Sequence, residues 1–488
     1  MNLLAQTLTA LCDAAGERIA ETGHGRWAQR FHLMPAAGWL NDPNGLHQRD
    51  GIYHAFYQAS PLAVDGGLKC WGHATSRDLL RWHDAGTALV PETHWDCHGV
   101  YSGSALVDGD ATHLFYTGNV KHVDAGETYD YVTTGRESNQ MVVTLGRPEL
   151  SLPKRPVLTQ ADYPADETAH VRDPKVFPSA GLAAAEGAPR NLMLLGARRA
   201  GEERASDKGE ALVYGSDGVE QWRLLNRITT TERFGYVWEC PDYVELDEKR
   251  LLLASPQGLT GPEWEGRNVY QSGWFEFSGT LTGDYELGPF HLWDHGFDFY
   301  APQTFVDEQG RRVLVGWMGM ADCPGHLCRE RESGWQHCFT VPREVTTDGR
   351  GQVLCRPVGE VASARGAAIR VQVGATTRLP RCFDLELSCS APLFHAVVGD
   401  GLELTWSERT GQLEMRFSDP SQAGIGAGRG SRTCPVARLD TLRVLGDVSS
   451  VEVFVNGGEA AMSTRHYPDR YSVALDTPVR ARCWELAV

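Results

Sequence analysis

Short apolar and aromatic runs, each broken by a tight polar turn, recur through roughly the first two thirds of the chain. Asp50-Gly51 separates GLHQR from IYHAFYQ, and Asp108-Gly109 separates SALV from THLFYTG. A Gly/Ala/Pro-rich stretch over 179–190 separates KVF from NLMLLGA, Asp247 to Lys249 separates DYVEL from RLLLAS, and Asp307 to Gly310 separates QTFV from RRVLVGW. Asp-Gly between short apolar runs is a hairpin signal, because both central positions of the favoured turn need positive φ. Five hairpins spaced roughly every 60 to 75 residues predict a radial repeat with insertions rather than one open sheet. The expected fold is all-β, with a five-bladed β-propeller over 25–354. Just ahead of the hairpins stand the clusters Asn41-Asp42, Tyr101-Ser102-Gly103, Arg172-Asp173, Glu239-Cys240 and Tyr300-Ala301-Pro302-Gln303. If each hairpin's first strand is innermost, these clusters meet at one end of the central axis.

The pattern changes at both ends. Leu4, Leu8, Leu11, Ala15 and Ile19 recur at helical spacing, which predicts one amphipathic helix in a 1–24 extension. The hairpin repeat ends near residue 345, and 355–366 reads as a linker. Beyond it, over 367–488, FDLELSC, LELTW, LEMRF, TLRVLG, VEVFVNG and YSVAL predict short antiparallel strands of a C-terminal β-sandwich. That region shows no catalytic cluster, so a packing or oligomerisation role is favoured there over carbohydrate binding, and homo-oligomerisation is left open.

A chain of 488 residues exceeds the usual size of one core, in keeping with two domains. Its formal charge of -17 disfavours nucleic acid and anionic membranes as partners, and weakly disfavours a phosphorylated substrate unless a local Lys or Arg compensates. The first residues lack the basic start and unbroken apolar run of a signal peptide, and no stretch of about 18 apolar residues suggests a membrane span. The twelve cysteines are scattered, which favours reduced thiols. The cytoplasm is the expected compartment.

Three carboxylates sit in similar settings: Asp42 in WLNDPNG, Asp173 in VRDPKV and Glu239 in WECPDY, each followed within two positions by proline. Singly, each could be turn chemistry or one of many solvated acids; their recurrence favours a shared site. EF-hand spacing is absent, and Cys323 to Cys328 has no second pair at zinc-finger spacing, so no metal is expected. No nucleophile elbow, P-loop or dinucleotide fingerprint appears, and no cofactor is expected. Carbohydrate chemistry remains, and glycoside hydrolysis within it needs two carboxyl groups flanking the scissile bond. Trp39, Trp71, Trp317 and Tyr300 could offer flat faces to a sugar or pack as core.

At this point the chain resembles the family 32 glycoside hydrolases, the β-fructofuranosidases that include invertases, sucrose 6-phosphate hydrolases, inulinases and levanases. The resemblance runs through HLMPAAGWLNDPNG, FYQASP, WGHATSRDLLRW, YSGSA, FYTG, VRDPKV, WECPDY, DFYAPQTF, GWMG, VPREV, CRPVGE, SVEVFVNGG and RHYP. It implies Asp42 as nucleophile, Glu239 as general acid/base and Asp173 as stabiliser of the transition state. It implies a sugar pocket of Asn41, Gln58, Trp71, Tyr101, Ser102 and Arg172, with Tyr300 and Trp317 as further pocket or rim positions. Tyr101 departs from the family's more frequent phenylalanine. Arg172 is expected to keep its neighbour Asp173 charged and aimed, and Trp238 to help desolvate Glu239; Cys240 either tunes Glu239 or simply packs. The leading expectation is a retaining β-fructofuranosidase acting on sucrose or short fructo-oligosaccharides. The alternatives are a sucrose 6-phosphate hydrolase and an inactive fructan-binding propeller.

Overall fold

The computed structural model describes residues 2–488 except 124–125, 127–128, 147–152, 183–186 and 248. Met1, residues 183–186 and Glu248, which fall within the predicted N-terminal extension and two of the predicted turns, lie outside the described residues. The chain is all-β apart from the N-terminal helix Leu3–Thr22 and a few single turns of helix.

Five sheets follow one another along the sequence, and each opens with a strand that pairs antiparallel to the next in a hairpin. The opening strands are Gly38–Arg49, Val100–Asp108, Glu167–Pro178, Val237–Leu246 and Tyr300–Val306. Each packs against the next, and the fifth returns to the first, closing a ring. Trp335–Gln336, from after the fifth sheet's opening hairpin, pairs in parallel with Gly38 and Trp39 of the first strand. A late segment therefore fastens the ring to its beginning. Between sheets, alternate side chains interdigitate. Leu192, Leu194, Ala211 and Val213 of the third sheet meet Trp238, Leu252, Ala254 and Phe275 of the fourth. Each fully buried large apolar side chain of this kind contributes about 1.5–3 kcal/mol.

All five opening strands carry a β-bulge at the same place. Leu40 and Pro43 pair with Ala59 and Tyr57, so Asn41 and Asp42 together oppose Gln58. In the same way Tyr101-Ser102, Asp173-Pro174, Cys240-Pro241 and Ala301-Pro302 each set two residues against one on the partner strand. Asp173, Cys240 and Ala301, the first residues of the last three bulges, have φ of 63°, 46° and 49°. The prolines that follow them need no ladder donor, which suits a position left unpaired. The register also corrects the expectation that the three acids occupy one repeated position. Asp42 is the second residue of its bulge, Asp173 the first of its own, and Glu239 stands one residue before its bulge.

The C-terminal region forms two six-stranded antiparallel sheets. Leu385, Val444 and Val453 of one share an apolar cluster with Leu404, Met415 and Val473 of the other. The last strand of the fifth sheet ends at Pro357, and the first of the C-terminal strands begins at Arg365.

The N-terminal helix is capped by Asn2, whose side chain accepts from Ala5 N at 2.9 Å. Its buried face differs from the predicted one. Leu4 and Leu11 are 75% and 54% exposed, while Ala5, Cys12, Gly16 and Ile19 face inward. Of the predicted face Ile19 is buried and Leu8 packs against Ala5, Cys12, Cys70 and Val90; close approach sets the rest, since a Cβ on Gly16 would stand 3.0 Å from the Ala36 Cβ. Asp13 ties the helix down by accepting from Thr87 N at 2.9 Å.

Candidate active site

The five bulges meet at one end of the ring, around a pocket of about 390 Å³. An extended strand would alternate its side chains between faces; two residues set against one partner turn the local backbone and aim extra side chains along the axis. Asp42, Asp173 and Glu239 line the pocket together with Trp39, Asn41, Gln58, Tyr101, Ser102, Arg172, Tyr300 and Trp317. Two of the residues predicted from sequence stand outside that lining. Trp71 is fully buried, packs with Phe56, Leu114 and Tyr116, and donates its Nε1 to Tyr101 O at 2.9 Å, which makes it core. Cys240 contributes beneath the surface, its backbone N donating to Asp173 Oδ2 at 2.9 Å and its thiol lying 3.6 Å from the same oxygen.

Asp42 is held from two sides. Ser102 Oγ donates to its Oδ2 at 2.5 Å and Asn41 Nδ2 to its Oδ1 at 3.0 Å. The Asn41 amide also donates to Gln58 Oε1 and accepts from Trp39 Nε1 at 2.8 Å. Asn44 braces the turn below: its Nδ2 donates to Asp42 O at 3.1 Å, and its Oδ1 accepts from Gly103 N at 2.9 Å, linking the first and second bulges.

Glu239 accepts from Tyr300 OH at 2.8 Å and from Gln257 Nε2 at 2.7 Å, both on Oε2. Its Oε1 lies 3.4 Å from Arg172 Nη1. Arg172 thus ion-pairs with Glu239 of the neighbouring fourth sheet, while its charge also favours the ionised form of its sequence neighbour Asp173. Trp238 does not supply the desolvation expected of it. Its ring lies in the apolar cluster between the third and fourth sheets, on the other face of the strand, and its Nε1 donates to Phe234 O at 2.8 Å.

Burial raises the Glu239 carboxyl, and nearby Asp42 adds to the rise, against the opposing pull of Arg172, Tyr300 and Gln257. Burial, then the charges of Glu239 and Asp42, push Asp173 up to about 7, with Arg172 and the Cys240 N–H opposing. Groups this close share their protons, so the pocket can hold ionised and protonated carboxyls side by side near neutrality. Burial and Arg172 push His170 far below its ordinary value, and the neutral ring accepts from the Arg172 guanidinium.

Several lining residues were missed from sequence: Lys69, Tyr131, His170, Gln257, Ala321 and Asp322. Gln257 was reachable in principle, since pairing of the Val237–Leu246 and Lys249–Gln257 strands places it beside Val237. His170 lies on the same strand as Arg172 and Asp173, two residues before Arg172; Lys69, Tyr131, Ala321 and Asp322 stand outside the strands and carry no local signal. Among the described residues, no group of three or more His, Cys, Asp and Glu side chains is arranged to hold a metal ion.

Carboxyl groups gathered in one pocket at the end of the ring are what glycoside hydrolysis requires. The Glycosyl hydrolases family 32 N-terminal domain matches residues 32–357, and the Glycosyl hydrolases family 32 C terminal domain matches 402–479. The chain belongs to the glycosyl hydrolases of family 32. It is 36% identical over 460 residues to the sucrose-6-phosphate hydrolase of Bacillus subtilis (strain 168), covering 90% of this chain and 89% of that one. It is 35% identical over 481 residues to the raffinose invertase of Escherichia coli, covering 94% and 93%. Among solved structures, the GH32 β-fructofuranosidase of Bombyx mori superposes with a TM-score of 0.80 at 25% identity, over 99% of this chain and 98% of that one.

Proposed function

We propose that the protein is a retaining β-fructofuranosidase that releases the terminal fructofuranosyl unit of sucrose or short fructo-oligosaccharides through a covalent intermediate. The observation that carries this reading is the sharing of one pocket by Asp42, Asp173 and Glu239, with Asp42 fixed by two hydrogen bonds and Glu239 raised by burial. Asp42 attacks the anomeric carbon as a carboxylate. Glu239 protonates the departing oxygen and then, as a base, activates the water that releases fructose. Asp173, aimed by the Cys240 N–H, faces the developing oxocarbenium charge and the fructosyl hydroxyls. Asn41, Gln58, Tyr101, Ser102 and Arg172 surround the sugar, with Trp39, Tyr300 and Trp317 as its aromatic walls.

In this reading the five sheets are blades of a five-bladed propeller at about 25–354, preceded by the 1–24 extension and joined through the 355–366 segment to a sandwich over 367–488. The closed ring of opening strands and the shared core of the two C-terminal sheets support that division. The strand Val353–Pro357 pairs within the fifth sheet and Arg365–Ile369 within the C-terminal sheets, which draws the junction in to the residues between them. The twelve cysteines are free thiols, in keeping with a reducing compartment such as the cytoplasm. Sucrose 6-phosphate is the alternative substrate, favoured by the naming of the Bacillus subtilis relative.

Turnover of sucrose, sucrose 6-phosphate, kestose, inulin and levan under matched conditions ranks the substrates, and NMR of the first-formed fructose anomer tests retention. Asp42→Asn is expected to lower kcat by on the order of 10³-fold or more while leaving the thermal midpoint and substrate binding intact. Initial release of the inverted anomer, or near-normal kcat in Asp42→Asn, overturns the assignment.

A further inference from the structure

One cation in the pocket has no part in the roles above. Lys69 precedes the strand Cys70–Ser76, and its carbonyl accepts from Val100 N at 2.9 Å, which anchors it between the first and second sheets. Its ammonium donates to Asn41 Oδ1 at 3.0 Å and lies 5.1 Å from the centroid of the Trp39 ring. Gly66 lies beside it, where a Cβ would stand 3.8 Å from both Lys69 Nζ and a Trp39 ring carbon.

The amide of Asn41 shows what this lysine does. Its oxygen takes two donors, Trp39 Nε1 and Lys69 Nζ, and its NH₂ serves two acceptors, Asp42 Oδ1 and Gln58 Oε1. A flipped amide would set its NH₂ against two donors and its oxygen against two acceptors, so the donors on the oxygen fix the orientation of the group that holds Asp42. We propose that Lys69 is a positioning residue: its ammonium locks the Asn41 amide, and through it the Asp42 carboxylate, and supplies the positive charge that offsets that carboxylate in the desolvated pocket. The proposal rests on the reading of Asp42 as the nucleophile.

The charges around Lys69 agree. Burial pushes its ammonium down to about 8, while Asp42 and the Cys70 thiol beside it pull the other way. The neighbouring groups of the first two strands, Trp39, Asn41 and Gln58, are neutral. On the side of the second sheet the Tyr101 phenol, itself raised by burial, stays protonated when Lys69 titrates. Lys69 is therefore charged below about pH 8 and neutral above it, and its discharge adds a second proton loss to the alkaline side of the activity profile.

Lys69→Met and Lys69→Arg, assayed on sucrose and sucrose 6-phosphate across the pH profile, test the proposal. Lys69→Met is expected to lower kcat roughly 10- to 100-fold, as small misplacements of reacting groups do. The same factor should apply on both substrates, with KM changed by less than about threefold and one proton missing from the alkaline limb. Lys69→Arg should restore most of kcat and carry that limb to higher pH. Lys69→Met within about twofold of the parent enzyme at every pH would make the lysine a spectator. A loss confined to sucrose 6-phosphate would make it a reader of the substrate's phosphate instead of a positioning group. Lys69→Arg as slow as Lys69→Met would also overturn the proposal. If the parent enzyme hydrolyses no fructoside, the underlying functional reading falls; if it does and Lys69→Met is indifferent, only this inference does.

Discussion

At the scale of single residues, the behaviour of Glu239 follows from what surrounds it. Glu239 is buried and raised, yet three groups pull it back toward ionisation: Arg172, Tyr300 and Gln257. Tyr300 OH donates to Oε2 at 2.8 Å, a hydrogen bond that favours the carboxylate over the acid. Tyr300→Phe removes that donor, so the Glu239 pKa should rise further. A general acid works while protonated, and the alkaline limb of kcat/KM should therefore move to higher pH, by about one to two units for one lost charge-assisted hydrogen bond. An unmoved limb, or one shifted to lower pH, would show that Glu239 is not the group titrating there. Which acids would gather was legible in WLNDPNG, VRDPKV and WECPDY. What each would touch was not: Arg172 ion-pairs with Glu239 on the neighbouring sheet, and Trp71 goes to core, because both outcomes depend on how the sheets pack together, which the motifs do not encode.

At the scale of elements, five hairpins with five matching bulges make the site. The turns were readable because Asp50-Gly51, Asp108-Gly109 and their counterparts carry local turn chemistry. The bulges were not, since two residues opposing one is a property of the partner strand's register. Gly103 shows how tightly one of them is built. A Cβ there would lie 1.9 Å from Phe115 O and 2.7 Å from Tyr116 Cα, all backbone of the paired strand. At Gly109, in the hairpin turn, a Cβ would meet nothing within 4 Å, and only its φ of 55° opposes substitution. Gly109→Ala should therefore cost about 1 kcal/mol from backbone strain alone. Gly103→Ala should cost more than about 2 kcal/mol and also lower kcat, because the strand must shift next to Ser102, the donor to Asp42. Thermal melts and kcat for the pair decide this; equal destabilisation, or full activity in a folded Gly103→Ala, would show that the bulge does not aim Ser102.

At the scale of the whole molecule, the ring and the C-terminal sheets meet through buried charges as well as apolar surface. Arg343 lies 2.5 Å from Glu452 and 3.0 Å from Asp294, Arg465 lies 3.1 Å from Glu330, and Arg429 lies 2.7 Å from Asp298, all with almost no exposure. No local pattern announces such pairs: Arg343 and Asp294 stand 49 residues apart and the partners of the other three pairs more than 100, whereas the short C-terminal strands were legible from alternation. His32 is the most telling member. Its Nδ1 lies 2.9 Å from Asp447 Oδ2 and its Nε2 2.8 Å from Glu452 Oε1, so both nitrogens must donate and the ring is held as the cation. Burial opposes that charge, but the hydrogen bonds and charges of Asp447 and Glu452 prevail and raise the imidazole above its ordinary value. Burial likewise opposes the two carboxylates, and their partners hold both below the ordinary range: His32 for Asp447, and Arg343 with His32 for Glu452. The signs then fix the window. The raised histidine contributes stability that is complete below its unfolded value, near 6.5, and is lost as pH rises through its folded value. The depressed acids contribute stability present above their unfolded values, near 4, and lost as pH falls through their folded ones. The junction should be firmest in mildly acidic solution, between about pH 5 and 6.5, and weaken above the folded value of His32. His32→Gln, which leaves two buried carboxylates short of a charge partner, should cost about 3–5 kcal/mol at pH 6 and flatten the alkaline fall in the melting temperature. A variant whose melting temperature tracks the parent's across the whole pH range would show that the imidazolium does not hold the two parts together.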